Sequence, residues 1–451
     1  MNVKTRIAPS PTGHLHIGTA RVALFNYLFA KQNNGSFIVR IEDTDKERSK
    51  AEFEEDILEN LNWLGISGDE IWRQSERAPR HREALETLIA NNHAYISKEP
   101  AKNDPEKMVE VVRLRASGKV VSFEDSIRGI ISFDTKELGD FVIARSLDEP
   151  LYHLAVVVDD ADAHISHVIR GEDHISNTPR QILILEMLGY PVPHYAHLPL
   201  VLSSDKSKLS KRRHATSIRE YRMRGFLPEA MINYLALLGW HPESDKEIFS
   251  TDELVEQFDL TRVQKGGAIL NEEKLLWFNR HYMQQLGGEI YEQKVKEIFS
   301  DCLIERKDPA LTYDDTIVQR LVPVVRERVD LWEALHKDVQ EGEYDFFFGQ
   351  PRVHPQEIPW KQSSREETFD HMKEVKTLIE NISVGDFGNA ESIKAVVWPY
   401  AEKVGRGAVL WPLRYALTGK ERSPDPFVVA SILGKEETLR RIEIANEILS
   451  A

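Results

Sequence analysis

Apolar and polar positions alternate with two different periods over about the first 200 residues, and settle into a helical period afterwards. "KTRIAP" predicts a short strand. It enters a Pro/Gly loop, and "TARVALFNYLFAKQN" follows with Ala20, Ala23, Leu24, Tyr27 and Leu28 at helical spacing. "SFIVRIEDTD" predicts a second strand, buried for a few residues and ending in acids. "EFEEDILENLNWLG" places Phe53, Ile57, Leu61 and Leu64 on one helix face, with Gly65 in C-cap position. Another helix is expected from roughly Arg80 to Asn91. "YHLAVVVDD" and "HISHVIRGED" predict strands that run into charged ends. "NTPRQILILEMLGY" predicts a helix with Asn177 at its N-cap, Pro179 in its first turn and Gly189 at its end. Strands alternating with helices indicate an α/β fold built on a parallel sheet.

The alternation breaks between Lys98 and Leu138, where "KEPAKNDPEKMVEVVRLRASGK" is polar and mixed and looks like an insertion. After about residue 203 the strands are expected to stop. "LPEAMINYLALLGW" is helical, and so is most of the chain beyond it. A length of 451 residues with these changes of pattern suggests three or four units. With 41% hydrophobic and 29% charged residues the composition is globular. No run of about 18 apolar residues exists, so no transmembrane helix is expected. "MNVKTRIAPS" lacks the basic and apolar regions of a secretory signal. The one cysteine, Cys302, excludes intramolecular disulfides and multi-cysteine zinc sites, and a reducing cytoplasm is the expected compartment. A net charge of −15 argues against nucleic-acid binding on average but leaves room for a local basic face. The densest basic run is "KSKLSKRRH", Lys206 to His214, with five Lys or Arg in nine residues.

Ligands of parallel α/β sheets bind beyond the carboxyl ends of the strands. Three clusters fall there: the opening loop, Glu42-Asp43-Thr44-Asp45, and Arg170-Gly171-Glu172-Asp173-His174. Each alone also fits a solvated turn or a salt-bridge partner, but three in one sheet favour a shared crevice. Gly13 and Gly18 let a ligand approach the backbone, and the following helix offers free N–H groups and a positive dipole end. His16, just before that helix, is placed to donate to a phosphate oxygen. His14 and His16 make a poor metal pair, with no cysteine nearby and no third ligand at helical spacing.

"PSPTGHLHIGT" together with "KLSKR" resembles the signature pair of the class I aminoacyl-tRNA synthetases. "RIAPSPTG", "RIEDTD", "YHLA", "VIRGEDHISNTPRQ", "PLRYALTG" and "LGKEETLRR" are similar to the glutamyl branch, over nearly the whole chain. The resemblance implies a class I Rossmann-type parallel-sheet catalytic domain (1–90 and 140–202) and a small inserted α/β acceptor-binding domain (91–139). It further implies a stem-contact helical domain with the KLSKR loop (203–288) and an all-α anticodon-binding domain (289–451). The implied reaction activates L-glutamate with ATP and Mg2+ to glutamyl-adenylate. Glutamate is then transferred to the 3′-terminal adenosine of tRNA(Glu), by a monomer in the cytoplasm and without zinc. Charging of tRNA(Gln) as well is the alternative.

By the same resemblance, His16, Lys208 and Lys211 are catalytic, and His16, Gly18, Thr19, Asp173, Lys208, Leu209, Ser210 and Lys211 hold ATP. Arg6, Ala8, Ser10, Glu42, Tyr152 and Arg170 hold glutamate, with the two guanidinium forks on its side-chain carboxylate and Glu42 on its ammonium. Arg326 and Arg328 fall near an arginine that senses the anticodon in relatives. The chain departs from relatives in two places. Val156 stands where some carry an asparagine that touches the substrate. The insertion is shorter and cannot form the cysteine zinc site found in some, so fewer acceptor-end contacts are expected. A small-molecule adenylyltransferase shares the first motif type but does not need the long chain after "KLSKR". A truncated relative that modifies a tRNA base resembles only the catalytic half.

Overall fold

The computed structural model describes residues 2–101, 104–116, 118–207, 216–361 and 363–451. They form two compact units, Met1–Tyr282 and Met283–Ala451. In the first unit, β1 (Lys4–Ile7), α1 (Ile17–Gln32), β2 (Ser36–Ile41), α2 (Ala51–Trp63), β3 (Glu70–Arg73) and α3 (Ala78–Ala90) succeed one another. The three strands pair in parallel, in the order β1-β2-β3. Helix α1 starts at Ile17, two residues before Thr19, because His16 caps it. It is buried almost all round, so its apolar residues do not form a single stripe. Its buried polar groups are spent on neighbours: Asn26 Nδ2 donates to Ile169 O (2.9 Å), and Arg21 donates to Leu238 O (3.1 Å) and Pro199 O.

Strands β4 (Ala94–Ala101), β5 (Asp104–Leu114), β6 (Val120–Asp125), β7 (Gly129–Asp134), β8 (Phe141–Ser146) and β9 (Glu149–Pro150) fill the region of mixed pattern. Antiparallel β4-β5-β8-β9 forms one sheet, and Leu88 of α3, Val112 of β5 and Ile143 of β8 share its buried core. The β6-β7 hairpin joins a different sheet, with order β10-β11-β6-β7. Its other members are β10 (His167–Gly171) and β11 (His194–Leu198), which pair in parallel. Beside β1, the Ser166 N–H that precedes β10 donates to Lys4 O at 3.0 Å. The carboxyl ends of β1, β2 and β10 therefore lie along one edge.

Residues Tyr152–Asp162 are a helix, α4, and not the strand that "YHLAVVVDD" predicts. Three consecutive valines favour a strand locally. Here every residue from Leu154 to Asp160 is buried, so the segment lies between packed layers, where helix and strand patterns look alike. Helix α5 (Thr178–Leu188) has Pro179 in its first turn and Gly189 as a left-handed C-cap, as expected. Asn177 does not cap it: its backbone is helical, and its Nδ2 lies 3.1 Å from His174 Nδ1. Beyond β12 (Val201–Leu202) come α6 (Ile218–Arg224), α7 (Pro228–Leu237), α8 (Thr251–Gln257), β13 (Ala268–Ile269) and α9 (Glu272–Gln285). The strands thus do not stop at residue 203, because two-residue β13 pairs with β12.

The second unit is helical among its described residues, beginning with α10 (Gly288–Arg306), α11 (Asp315–Arg328) and α12 (Trp332–Gln340). Arg441, in the last helix, is buried and ties the unit together. It donates to Phe346 O (2.7 Å), Leu417 O (2.6 Å) and Gly349 O (3.1 Å). Among the described residues no helix is long and apolar enough to cross a membrane. Gly189 sits at φ 71°, and a Cβ there would meet nothing within 4 Å. The Gly189→Ala substitution is therefore expected to cost about 1–2 kcal/mol through backbone strain alone. Gly266→Ala, with equal space and no positive φ, is expected to leave the thermal unfolding midpoint unchanged, and the pair of midpoints checks this.

Candidate active site

The opening loop is held by its own carbonyls and by α2. Glu42 N–H donates to Pro9 O (2.9 Å) and Lys50 N–H to Pro11 O (3.0 Å). His14 Nδ1 lies 3.0 Å from Asp56 Oδ1, and its ring meets Phe53 edge-on at 5.2 Å. His14 is thus taken up by α2, and the two histidines have separate tasks. His16 caps α1: Gly18 N–H donates to its Nδ1 at 3.0 Å. That bond leaves Nε2 as the protonated nitrogen of the neutral ring. Of the first amides of α1, Ile17 N–H is spent on Thr216 O (2.8 Å) and Gly18 N–H on His16 (3.0 Å). Ile218 N–H also donates to Leu15 O at 2.9 Å, which pairs the chain after residue 215 with this loop. Lys208, Leu209, Ser210 and Lys211 lie outside the described residues.

Beside the loop is a buried network of opposite charges. Arg40, 1% exposed, comes from strand β2, where Phe37, Ile38, Val39 and Ile41 are apolar and buried. Its Nη1 donates to Asp160 Oδ1 (2.5 Å) and its Nη2 to Glu42 Oε1 (3.2 Å). Arg6 Nε donates to the same Asp160 carboxylate at 3.2 and 3.3 Å. Next to Asp160 on α4, Asp159 receives Gln74 Nε2 (2.9 Å) and Arg77 Nε (3.4 Å), and pairs with His81 Nε2 (2.8 Å). Burial opposes the charge on Arg40, but Asp160, Glu42 and Asp159 outweigh it and hold it protonated. Burial also works against Asp160, and Arg40 and Arg6 outweigh it, keeping Asp160 below the usual carboxylate range. Glu42 goes the other way. Burial raises its pKa more than Arg40 and Arg6 lower it.

Arg170, at the end of β10, is buried without an acidic partner. Its Nε faces His197 Nε2 (3.2 Å), Nη1 donates to Gln181 Oε1 (2.7 Å) and Nη2 to Thr178 Oγ1 (2.8 Å). Burial lowers its pKa, and the nearby charge of Arg6 lowers it further. Tyr152, at the start of α4, lies in the field of the same groups: burial and Glu42 raise its pKa, while Arg170 and Arg6 lower it. Its hydroxyl is 3.1 Å from His174 Nδ1. Arg6, Glu42, Tyr152 and Arg170 are therefore brought together at one sheet edge. Glu42 is paired with Arg40 through one oxygen, whereas the hydrogen-bond partners of Arg170 are all neutral.

Other expected residues are placed as follows. Ala8 is half-buried and Ser10 exposed on the opening loop, and Asp173 is exposed in the turn after β10. The remaining acids of the 42–45 cluster serve local turns: Asp43 accepts from Ser75 N–H (2.8 Å), and Asp45 pairs with Arg48. Val156 is buried on α4, one turn after Tyr152. In the second unit Arg326 lies over the Tyr291 ring at 4.2 Å and donates to Leu286 O (3.1 Å), whereas Arg328 is exposed. Among the described residues no group of three or more His, Cys, Asp or Glu is placed to hold a metal ion. The sequence reading missed Arg40, Asp159 and Asp160. The signal available for Arg40 was a lone charge in a strand that is otherwise buried.

A family model described as tRNA synthetases class I (E and Q), catalytic domain, matches residues 2–110 and 97–277. A model of the anticodon binding domain matches residues 293–446. That pair of domains is the make-up of a class I aminoacyl-tRNA synthetase. The Glutamate--tRNA ligase of Aquifex aeolicus is 41% identical, with 99% of each chain covered, and that of Geobacter sulfurreducens 40%, with 98% of each. A crystal structure of a glutamate tRNA ligase from Elizabethkingia meningosepticum, in complex with its amino acid, superimposes with a TM-score of 0.84 at 33% identity, covering 99% of each chain. The chain belongs to the glutamate–tRNA ligase family. The alignment with the Aquifex relative extends over 487 positions, more than the 451 residues here, so that relative carries residues this chain lacks.

Beside Tyr152, His153 is held at about 4 by burial first, then by Arg180 and Arg170. At the other end of β10, His167 is held at about 4 by burial and by His194. Both lie below the unfolded value of 6.5, so between 6.5 and about 4 the unfolded chain binds the extra protons. Stability is therefore full above pH 6.5 and is expected to fall as the pH drops toward 4. Thermal unfolding across that range checks the sign, and His167→Gln is expected to make the fall shallower.

Proposed function

We propose that the protein is a glutamate–tRNA ligase: it activates L-glutamate with ATP and transfers it to the 3′-terminal adenosine of tRNA(Glu). The observation that carries this reading is the polarity of the crevice, with Arg170 buried among neutral partners and Glu42 raised by burial. A dicarboxylic amino acid supplies the anion that Arg170 lacks and a second cation for Glu42 beside Arg40. Its side-chain carboxylate meets Arg170 and Arg6, and its ammonium meets Glu42, with Ala8, Ser10 and Tyr152 lining the site. Glutamine leaves Arg170 uncompensated in a desolvated place. An unpaired buried charge of this kind costs several kcal/mol, and a discrimination of about 10³-fold needs no editing site.

ATP enters as its magnesium complex. His16 and the amide of Thr19 bind its phosphates, Gly18 and Asp173 complete the nucleotide side, and the family motif assigns Lys208, Leu209, Ser210 and Lys211 to the same nucleotide. The substrate carboxylate is already the nucleophile, so catalysis consists of positioning and of stabilising charge on the α-phosphate. Arg326 is occupied by its own unit, which leaves exposed Arg328 as the arginine available to an anticodon base. The reading includes a monomer acting in the cytoplasm without zinc, with fewer acceptor-end contacts than in longer relatives. Val156 supplies no amide to the substrate.

Glutamate-dependent ATP–pyrophosphate exchange is expected only with tRNA present, and charging of tRNA(Glu) and tRNA(Gln) side by side defines the tRNA range. Arg170→Gln is expected to raise the KM for glutamate by about 10²- to 10³-fold and leave the KM for ATP unchanged. His16→Ala is expected to lower kcat by about 10²- to 10³-fold. Activation of glutamine as fast as glutamate by the unmodified enzyme sinks the reading.

A further inference from the structure

Arg170 can only donate hydrogen bonds, so the ring nitrogen facing its Nε must carry a lone pair. That nitrogen is His197 Nε2, at 3.2 Å. The opposite ring nitrogen, Nδ1, lies 2.6 Å from Asp125 Oδ2, and both side chains are fully buried. A charged Asp125 accepts the Nδ1 proton and thereby holds Nε2 in its acceptor form. The carboxylate is held for this task by its own turn: Oδ1 accepts Ile127 N–H (3.0 Å) and Arg128 N–H (2.8 Å). Burial works against the charge on Asp125, and His197 and these amides outweigh it.

Asp125 does not belong to the strands that form the crevice edge. It ends β6, in the β6-β7 hairpin of the mixed-pattern region, and pairs in register with Tyr195 of β11. The same turn reaches the site a second time. Arg128 Nη2 donates to Glu172 Oε2 at 2.5 Å, two residues after Arg170, and Glu172 Oε1 receives Leu200 N–H at 2.9 Å. Gly129 at φ 81° lets the chain reverse immediately after this contact.

We propose that Asp125 and His197 are positioning residues for amino-acid selection: the β6-β7 turn fixes the His197 tautomer, and His197 aims Arg170 at the substrate carboxylate. The inference rests on Arg170 being the carboxylate site proposed above. Asp125→Asn puts an amide that can donate beside Nδ1. The ring then favours a proton on Nε2, which faces the Arg170 N–H.

The test measures the KM for glutamate and for ATP in tRNA charging by the full chain, together with the thermal midpoint. Asp125→Asn and His197→Leu are expected to raise the KM for glutamate by about 10- to 100-fold with the KM for ATP within twofold. His197→Gln, whose side-chain oxygen accepts from Arg170, is expected to recover part of the loss. Glu124→Gln, exposed on the same strand, is expected to change neither constant. In the Arg170→Gln background, Asp125→Asn is expected to add little. A lower midpoint with an unchanged ratio of the two KM values in both Asp125→Asn and His197→Leu overturns the proposal. If Arg170→Gln raises the KM for glutamate and these two do not, only the positioning role falls. If Arg170→Gln leaves it unchanged, the carboxylate site falls and the proposal with it.

Discussion

The buried pairing of Arg40 with Asp160 and Glu42 is the constraint on which the crevice depends. A guanidinium in the middle of a parallel sheet has no water to turn to, so its partners must be delivered to it from elsewhere in the fold. Glu42 is the residue that follows the same strand. Asp160 arrives from the third turn of α4, so that helix must be placed to bring its carboxylate to Arg6 of β1 and Arg40 of β2. Once Asp160 is placed, Arg6 is held by the same carboxylate, and Tyr152 at the helix start lies in the field of Glu42, Arg170 and Arg6. Removing one partner of such a pair typically costs about 3–5 kcal/mol, because the other charge stays buried. The charge network and the shape of the crevice are in this sense one object.

The start of α1 is built differently. It uses one capped helix end and one histidine whose hydrogen bond to Gly18 settles its tautomer. Backbone pairing between Leu15, Ile17 and the chain at 216–218 ties this end of α1 to the segment that follows the KLSKR stretch. The Arg40 network thus rests on desolvated charge, and the start of α1 on a side-chain cap and on backbone pairing.

Much of the fold could be read from the sequence because its signals are local. Strands β1, β2 and β10, and helices α1, α2, α3 and α5, carry clear periods or caps. Helix α4 was not legible, because a segment buried on all sides loses the contrast between polar and apolar faces, and its valines favour the wrong choice. The residues gathered at the crevice were legible only as clusters at strand ends and through family motifs. Their partners were not. Arg6 and Asp160 are 154 residues apart, and Asp125 and His197 are 72 apart, so neither pairing leaves a local trace. Arg170 was singled out through the family motifs, but the neutrality of its partners His197, Gln181 and Thr178 left no trace in the sequence.

Helix α4 carries the crevice wall at Tyr152 and the counter-charges at Asp159 and Asp160 on the same short segment. A change that re-shapes the wall by shifting the helix also moves the anions away from Arg6, Arg40 and Arg77. Converting this scaffold to an uncharged amino acid is therefore not a matter of replacing the residues that touch the ligand. The guanidinium groups and the helix that neutralises them have to be redesigned together, and intermediate sequences that alter only one of them carry a buried charge with no mate.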